Sequence, residues 1–209
     1  MEEIKKVCAI IDMQGYIFNN VFYPRELAVC NDSVDISIEI ESSFERKSIT
    51  TSSLQWSYNF QKNNIHGLPL DSIRSRLGLK VQRSENIGNL VNKLYQRVRT
   101  TDKPLLACKN QQVAQLLRKL EIPHLNLERV KIEGEICPVL KELDSKIGKG
   151  LVWFCPLHTC LPHKESDRKT MRCSLRKSRY IWVWLCGKLV INEVLEELEA
   201  HNYEVYSLS

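Results

Sequence analysis

The 209-residue sequence contains no run approaching the roughly 18 apolar residues that a membrane-spanning helix needs. It has no internal repeat, no low-complexity tract and no Gly-, Ser- or Pro-rich linker. Solenoid and beads-on-a-string arrangements are therefore excluded, and a single domain over residues 1–209 is the expectation. The opening MEEIKKVCAIID lacks the long apolar core of a secretory signal, because its apolar run, Val7 to Ile11, ends at Asp12. We expect an intracellular protein of the cytoplasm or nucleus with no membrane partner. In such a compartment thiols stay reduced, so the eight cysteines read as core residues or metal ligands rather than as a disulfide framework.

What the sequence does have is enough apolar material for a packed core, 43% hydrophobic with 26% charged residues, a balance that excludes disorder. Lys and Arg outnumber Asp and Glu by 30 to 25, and the excess lies in one place. Between Lys164 and Arg179 stand Lys164, Arg168, Lys169, Arg172, Arg176, Lys177 and Arg179, against only Glu165 and Asp167. The rest of the chain is neutral. A basic patch on a neutral body points to a polyanion or an acidic protein surface; its bland alternative is a solvated loop and helix face.

The first forty residues read as antiparallel strands. Val7–Asp12 is a continuous apolar run, Ile17–Asn19 turns at Asn19–Asn20 into Val21–Tyr23, and Leu27–Cys30 and Ile36–Ile40 follow. The polar stretch from Ser42 to Asn64 reads as loop. Helices are expected at Leu70–Leu77, Ile87–Val98, Gln111–Leu120, Pro138–Ile147, Cys173–Leu189 and Asn192–Ala200. Short strands are expected at Pro104–Cys108, Leu125–Leu127 and Glu204–Leu208, and an apolar run stands at Leu151–Phe154. On the helix from Cys173 the apolar stripe is Leu175, Trp182, Leu185 and Leu189, with Arg176, Lys177 and Arg179 elsewhere on its surface. Antiparallel strands followed by alternating helices and strands indicate an α/β mixed sheet. Cys8, Cys30, Cys108 and Cys186 sit in apolar runs as small buried hydrophobes, and Trp153, Trp182 and Trp184 read as core. His66 and Lys109 read as ordinary turn residues.

Cys155-x-x-His158 followed by Cys173 offers three soft or borderline ligands for a tetrahedral Zn²⁺ site. Cys137, Cys160 and His163 supply more candidates than four positions need, so the full ligand set stays open on spacing alone. Asp12, with Gln14 two residues on, invites comparison with ribonuclease-H-type nucleases, whose Asp-x-Glu holds two Mg²⁺ ions. Gln14 brings a neutral carbonyl instead of a charge, and two-metal hydrolysis needs several converging carboxylates. Asp12 therefore reads as a polar strand end more readily than as a catalyst.

The arrangement resembles the DEDDh 3′–5′ exonucleases. Leu105-Leu106-Ala107-Cys108-Lys109-Asn110-Gln111-Gln112-Val113-Ala114 is similar to their middle motif with Ala114 where the Asp belongs. Arg172-Cys173-Ser174-Leu175-Arg176-Lys177-Ser178 is similar to the late motif, with Arg172 in place of His and Lys177 in place of Asp. A closer resemblance is to the Maelstrom domain, a DEDDh-like fold that has lost its acidic set and carries a Glu-Cys-His-Cys zinc cluster. Cys155-x-x-His158 with Cys173-Ser174-Leu175 is similar to its signature, Pro24-Arg25-Glu26-Leu27-Ala28 to its early strand, and Lys103-Pro104-Leu105 to Cys108-Lys109, with His66-Gly67-Leu68-Pro69, to its middle part.

The resemblance implies an RNase H-like, DEDDh exonuclease-like mixed sheet flanked by helices. It also implies one structural Zn²⁺ per chain held by Glu26, Cys155, His158 and Cys173, with Cys137, Cys160 and His163 as alternates. Four protein ligands leave no position for a reactive water. The implied function is single-stranded RNA binding in piRNA-type transposon silencing, with the basic residues from Lys164 to Arg179 on phosphates and cleavage, if present, independent of DEDDh carboxylates. Two other readings stand beside it: a protein-interaction scaffold on a dead nuclease fold within a silencing complex, and an active metal-dependent 3′–5′ exonuclease.

Overall fold

The computed structural model describes residues 2–44, 46–66, 68, 70, 82–83, 86–132, 134–139, 141–143 and 173–189. After a single helical turn, α1 (Glu2–Lys5), the chain enters strand β1 (Val7–Phe18), then β2 (Val21–Cys30) and β3 (Asp35–Glu41). The β1–β2 turn is made at Asn19 and Asn20, both at positive φ (49° and 63°). Asparagine tolerates that region better than most residues, and two such positions in a row match the right-handed twist of a tight hairpin.

Helix α2 (Ser52–Gln61) leads into a wider helical turn, Lys62–His66. The two-residue β4 (Gln82–Arg83), α3 (Ile87–Val98), β5 (Leu105–Cys108), α4 (Gln111–Lys119) and β6 (His124–Asn126) come next. A small separate ribbon pairs β7 (Lys131–Ile132) with β8 (Glu135–Ile136). Residues 174–189 form the last described helix, α5.

The protein is thus mixed α/β. The sheet order is β4-β3-β2-β1-β5-β6, five strands of three residues or more with the two-residue β4 at one edge. Strand β2 runs antiparallel to both neighbours, whereas β1, β5 and β6 are mutually parallel. Period-two alternation assigns the two faces of the central strands. Ala9, Ile11, Met13, Leu27, Val29, Leu106 and Cys108 pack under α3 and α4, with Val91, Leu94, Val113 and Leu117. Ile10, Ala28, Cys30, Ala107 and Leu125 pack under α5, with Leu175, Ile181, Trp182 and Leu185. Cys8, Cys30 and Cys108 are buried as small hydrophobes and Cys186 is half-buried; Trp182 and Trp184 are in the core.

Two expectations need correction. First, β1 does not end at Asp12 but continues to Phe18, and β2 runs unbroken through Pro24. Gly15 and Pro24, both strand breakers in sequence, face each other where the register shifts between Gln14 and Gly15, and a bulge tolerates them. A Cβ on Gly15 would collide with the Tyr23 carbonyl oxygen. Second, the stretch expected to be loop contains α2. Its apolar spacing is weak, but the Thr51 hydroxyl caps it by accepting from the Leu54 N–H at 3.3 Å. Its inward side chains supply the rest: Tyr58 stacks on Tyr16 with ring centroids 5.3 Å apart. The Gln61 amide brackets the Ile17 backbone, accepting from its N–H at 2.6 Å and donating to its carbonyl at 2.9 Å.

Of the helix expected at Pro138–Ile147, residues 141–143 are helical and Pro138 is not. The elements expected at Leu70–Leu77 (Leu70 apart), Asn192–Ala200 and Glu204–Leu208, and the run Leu151–Phe154 with Trp153, lie outside the described residues. No helix among the described residues is long and apolar enough to cross a membrane.

Candidate functional site

Alternation along β1 and β2 puts two buried carboxylates on the sheet face that α5 covers. Asp12 shares the parity of Ile10, and Glu26 that of Ala28 and Cys30. Both are fully buried, where an unpaired charge is expensive. Each has its own partners: α5 meets Asp12, while Cys173, the first α5 residue Ser174 and Ser37 of β3 meet Glu26.

Asp12 meets a cation. The Lys177 ammonium lies 2.9 Å from Asp12 Oδ1 and also donates to the Lys109 carbonyl at 3.4 Å. Burial pushes the Asp12 carboxyl up from its ordinary pKa; the Lys177 charge and its hydrogen bond to Oδ1 pull against it, while the buried Oδ2 makes no hydrogen bond among the described residues. Lys177, which the resemblance put in place of the last DEDDh aspartate, thus places an ammonium on Asp12. The sequence led us to expect Asp12 at a strand end; it is instead a mid-strand member of an ion pair, because β1 continues six residues beyond it. Ala114, which the resemblance put in place of the middle aspartate, is buried among Val113 and Leu117 beneath the other face of the sheet and offers no polar group.

Between them, Asn110 ties the middle motif to β1. Its side-chain oxygen caps α4, accepting from the Gln112 and Val113 N–H groups, while its Nδ2 donates to the Met13 carbonyl at 3.1 Å. Lys109, read from sequence as a turn residue, donates its ammonium to the carbonyls of Cys137 and Pro138. Burial holds that ammonium below the usual lysine pKa, and the neighbouring Lys177 charge pushes the same way. Both lysines line an open pocket of about 160 Å³ with Glu128, Pro138, Val139, Leu143 and Ile181.

Glu26 meets a thiol. Its Oε1 lies 3.6 Å from the Cys173 sulfur and accepts from the Ser37 hydroxyl at 3.2 Å, while its Oε2 accepts from the Ser174 N–H at 3.1 Å. Two ligands of a tetrahedral zinc, with Zn–S near 2.3 Å and Zn–O near 2.1 Å, sit about 3.6 Å apart. The pair is spaced as two such ligands would be, with the carboxylate already oriented by a serine hydroxyl and a backbone amide in the manner of an outer shell. Two of the four implied donors are therefore spaced as zinc ligands would be, a spacing that a thiol–carboxylate hydrogen bond also gives.

The remaining proposed ligands, Cys155 and His158, and the alternates Cys160 and His163, lie outside the described residues. Among the described residues no group of three His, Cys, Asp or Glu side chains converges. The Cys137 thiol lies 3.8 Å from its own Pro138 carbonyl, and burial pushes it up to about 11 against the Lys109 and Lys177 charges.

The basic run divides. Lys164, Arg168, Lys169 and Arg172 lie outside the described residues. The other three were expected on the outer surface of α5, and the structure turns them inward. Lys177 pairs with Asp12. Arg179 pairs with Asp35 and donates to the Asn31 carbonyl at 2.7 Å, leaving its side chain 14% exposed. Arg176 lies over the Tyr180 ring and donates to its hydroxyl at 2.9 Å. Charge in sequence marks demand for a counter-charge or water, and here Asp12, Asp35, the Asn31 carbonyl and the Tyr180 hydroxyl meet that demand.

No protein-family model, curated protein or solved structure matches this chain.

Proposed function

We propose that this chain is a catalytically degenerate, exonuclease-derived domain of the RNase H-like class that binds single-stranded RNA. The single observation that carries the reading is the Lys177 ammonium seated on Asp12. A cation bound covalently to the protein occupies the place where the first DEDDh carboxylate would hold Mg²⁺. It repels a metal from the site while leaving the carboxylate neutralised.

The strand order supports the fold assignment. A β3-β2-β1-β5-β6 sheet with only β2 reversed is the arrangement an RNase H-like core would have. The Glu26–Cys173 spacing supports the Maelstrom-like zinc cluster completed by Cys155 and His158. Bound there, zinc would tie β2 to the start of α5 as a structural ion. Phosphate contact then falls to Lys164, Arg168, Lys169 and Arg172, and a role in small-RNA or transposon silencing is the process this reading implies.

The test is equilibrium binding of the full chain to single-stranded RNA, duplex RNA and single-stranded DNA near physiological salt. Saturable binding that favours the RNA single strand is expected, with affinity falling as salt rises. Absence of saturable binding overturns the reading. That result would favour a protein-interaction scaffold, a reading which gains from the internal pairing of Lys177 and Arg179.

A further inference from the structure

We infer that the stacked pair Trp56 and Phe60 on α2 is a nucleobase-stacking platform, a second contact surface for a single strand. The inference rests on the RNA-binding reading above but on different residues. Trp56 and Phe60 stand one helical turn apart, with ring centroids 5.2 Å apart and planes inclined by 16°. They are 67% and 44% exposed. A large indole stacked in water on an exposed helix face is unusual, because aromatic rings are normally spent on the core.

Elsewhere on α2, Tyr58 and Gln61 lock onto Tyr16 and the Ile17 backbone. The aromatic cluster beneath consists of Tyr16, Phe18, Tyr58 and Leu70, with Tyr23, Phe44, Ile49 and Leu54 against it; Trp56 and Phe60 are not members.

The surroundings select the occupant. From Arg46 to Leu70 the sequence contains no Asp or Glu, while Arg46, Lys47 and Lys62 are basic. Around the rings stand the amides of Gln55 and Asn59, bonded to each other at 3.2 Å. Exposed aromatic faces on a segment that, between Glu45 and Asp71, carries cations and amides but no acid suit a single-stranded nucleic acid, whose bases stack and whose phosphates meet cations. Gln61 fixes α2 at Ile17, five residues along β1 from Asp12, which is roughly 17 Å at the rise of an extended strand. The platform thus lies on the part of the chain that continues β1 beyond Asp12, which is itself buried.

The experiment measures binding of a labelled oligouridylate to the full chain by fluorescence anisotropy, comparing the wild type with Trp56→Ala, Phe60→Ala and Trp56→Phe. Each alanine variant is expected to bind about five- to a hundred-fold more weakly. Trp56→Phe should keep most of the affinity, because it keeps a stacking face. The slope of log affinity against log salt should stay unchanged, since no phosphate contact is removed. Both rings are exposed, so the melting temperature of each variant should match the wild type and the comparison stays clean. Wild-type affinity in Trp56→Ala overturns the inference and leaves the pair to a protein partner. A wild type that does not bind oligouridylate overturns the RNA reading itself, and the two failures are distinguishable.

Discussion

Replacing Lys177 with Met removes the ammonium and keeps most of the side chain's length and packing. Asp12 is then a carboxylate with no solvent exposure and without the cation that now lies 2.9 Å away. Breaking a buried pair from one side costs about 3–5 kcal/mol, which for a chain of this size is roughly 6–20 °C in melting temperature.

The reverse single variant, Asp12→Asn, should cost less. It leaves a cation on a side chain that is 23% exposed and can turn toward water. The double variant Asp12→Asn with Lys177→Met removes both charges, and it should return to within about 1 kcal/mol of the wild type.

The pH dependence has a definite sign. Burial raises the folded pKa of Asp12, and Lys177 is the largest influence opposing that rise; in Lys177→Met the opposition is gone. A carboxyl whose folded pKa exceeds its unfolded value favours the folded state below the unfolded value, and that benefit is lost as pH rises through the folded pKa. The deficit of Lys177→Met should therefore be larger at pH 8 than at pH 5. Urea unfolding followed by circular dichroism at both values provides the measurement. A Lys177→Met protein as stable as wild type at pH 8, or a double variant no better than Lys177→Met, would refute the buried ion pair.

Elemental analysis should find about one zinc per chain, with Glu26→Gln, Cys155→Ser and Cys173→Ser each losing metal and stability together; a metal-free chain that folds fully would overturn the structural role. Gly15→Ala drives a methyl against the Tyr23 carbonyl and the Pro24 Cα, so thermal unfolding should show a loss of about 1–3 kcal/mol, and an unchanged melt would mean the bulge relaxes freely. Asn110→Ala removes the α4 cap and the bond to the Met13 carbonyl, for about 1–2 kcal/mol. Asn110→Asp should recover only part of this, because it keeps the capping oxygen but not the donor; full recovery would show that the Met13 bond contributes nothing.

Local pattern made much of this fold legible in advance. Helix α3 matches its expected span because Leu90, Val91, Leu94 and Val98 repeat at helical spacing, and the Asn19–Asn20 turn was visible because few residue pairs accept two positive φ values. The stripe of Leu175, Trp182, Leu185 and Leu189 likewise placed α5 against the sheet. Helix α2 escaped notice because its stability comes from Thr51, Tyr58 and Gln61 reaching other parts of the chain, which leaves no periodic apolar signal. The exposed Trp56–Phe60 stack was hidden with it, although an unbroken acid-free stretch around an aromatic pair was there to be seen.

The sequence by itself supplied Gln14, Ala114 and Lys177 at the positions that the DEDDh resemblance compares with catalytic carboxylates, since identities need no coordinates. It also supplied Glu26 and Cys173 as candidate partners. Only the tertiary structure decided what those residues do to one another. Residues 165 positions apart in the chain form the Asp12–Lys177 pair, and residues 147 apart bring Glu26 to Cys173. The same packing turned Arg176 and Arg179 from an outward basic face into internal contacts. Side-chain charge is a local property readable from composition, but whether it meets water, a counter-ion or a ligand depends on which strand face lies under which helix, and that is settled when the sheet and α5 pack together.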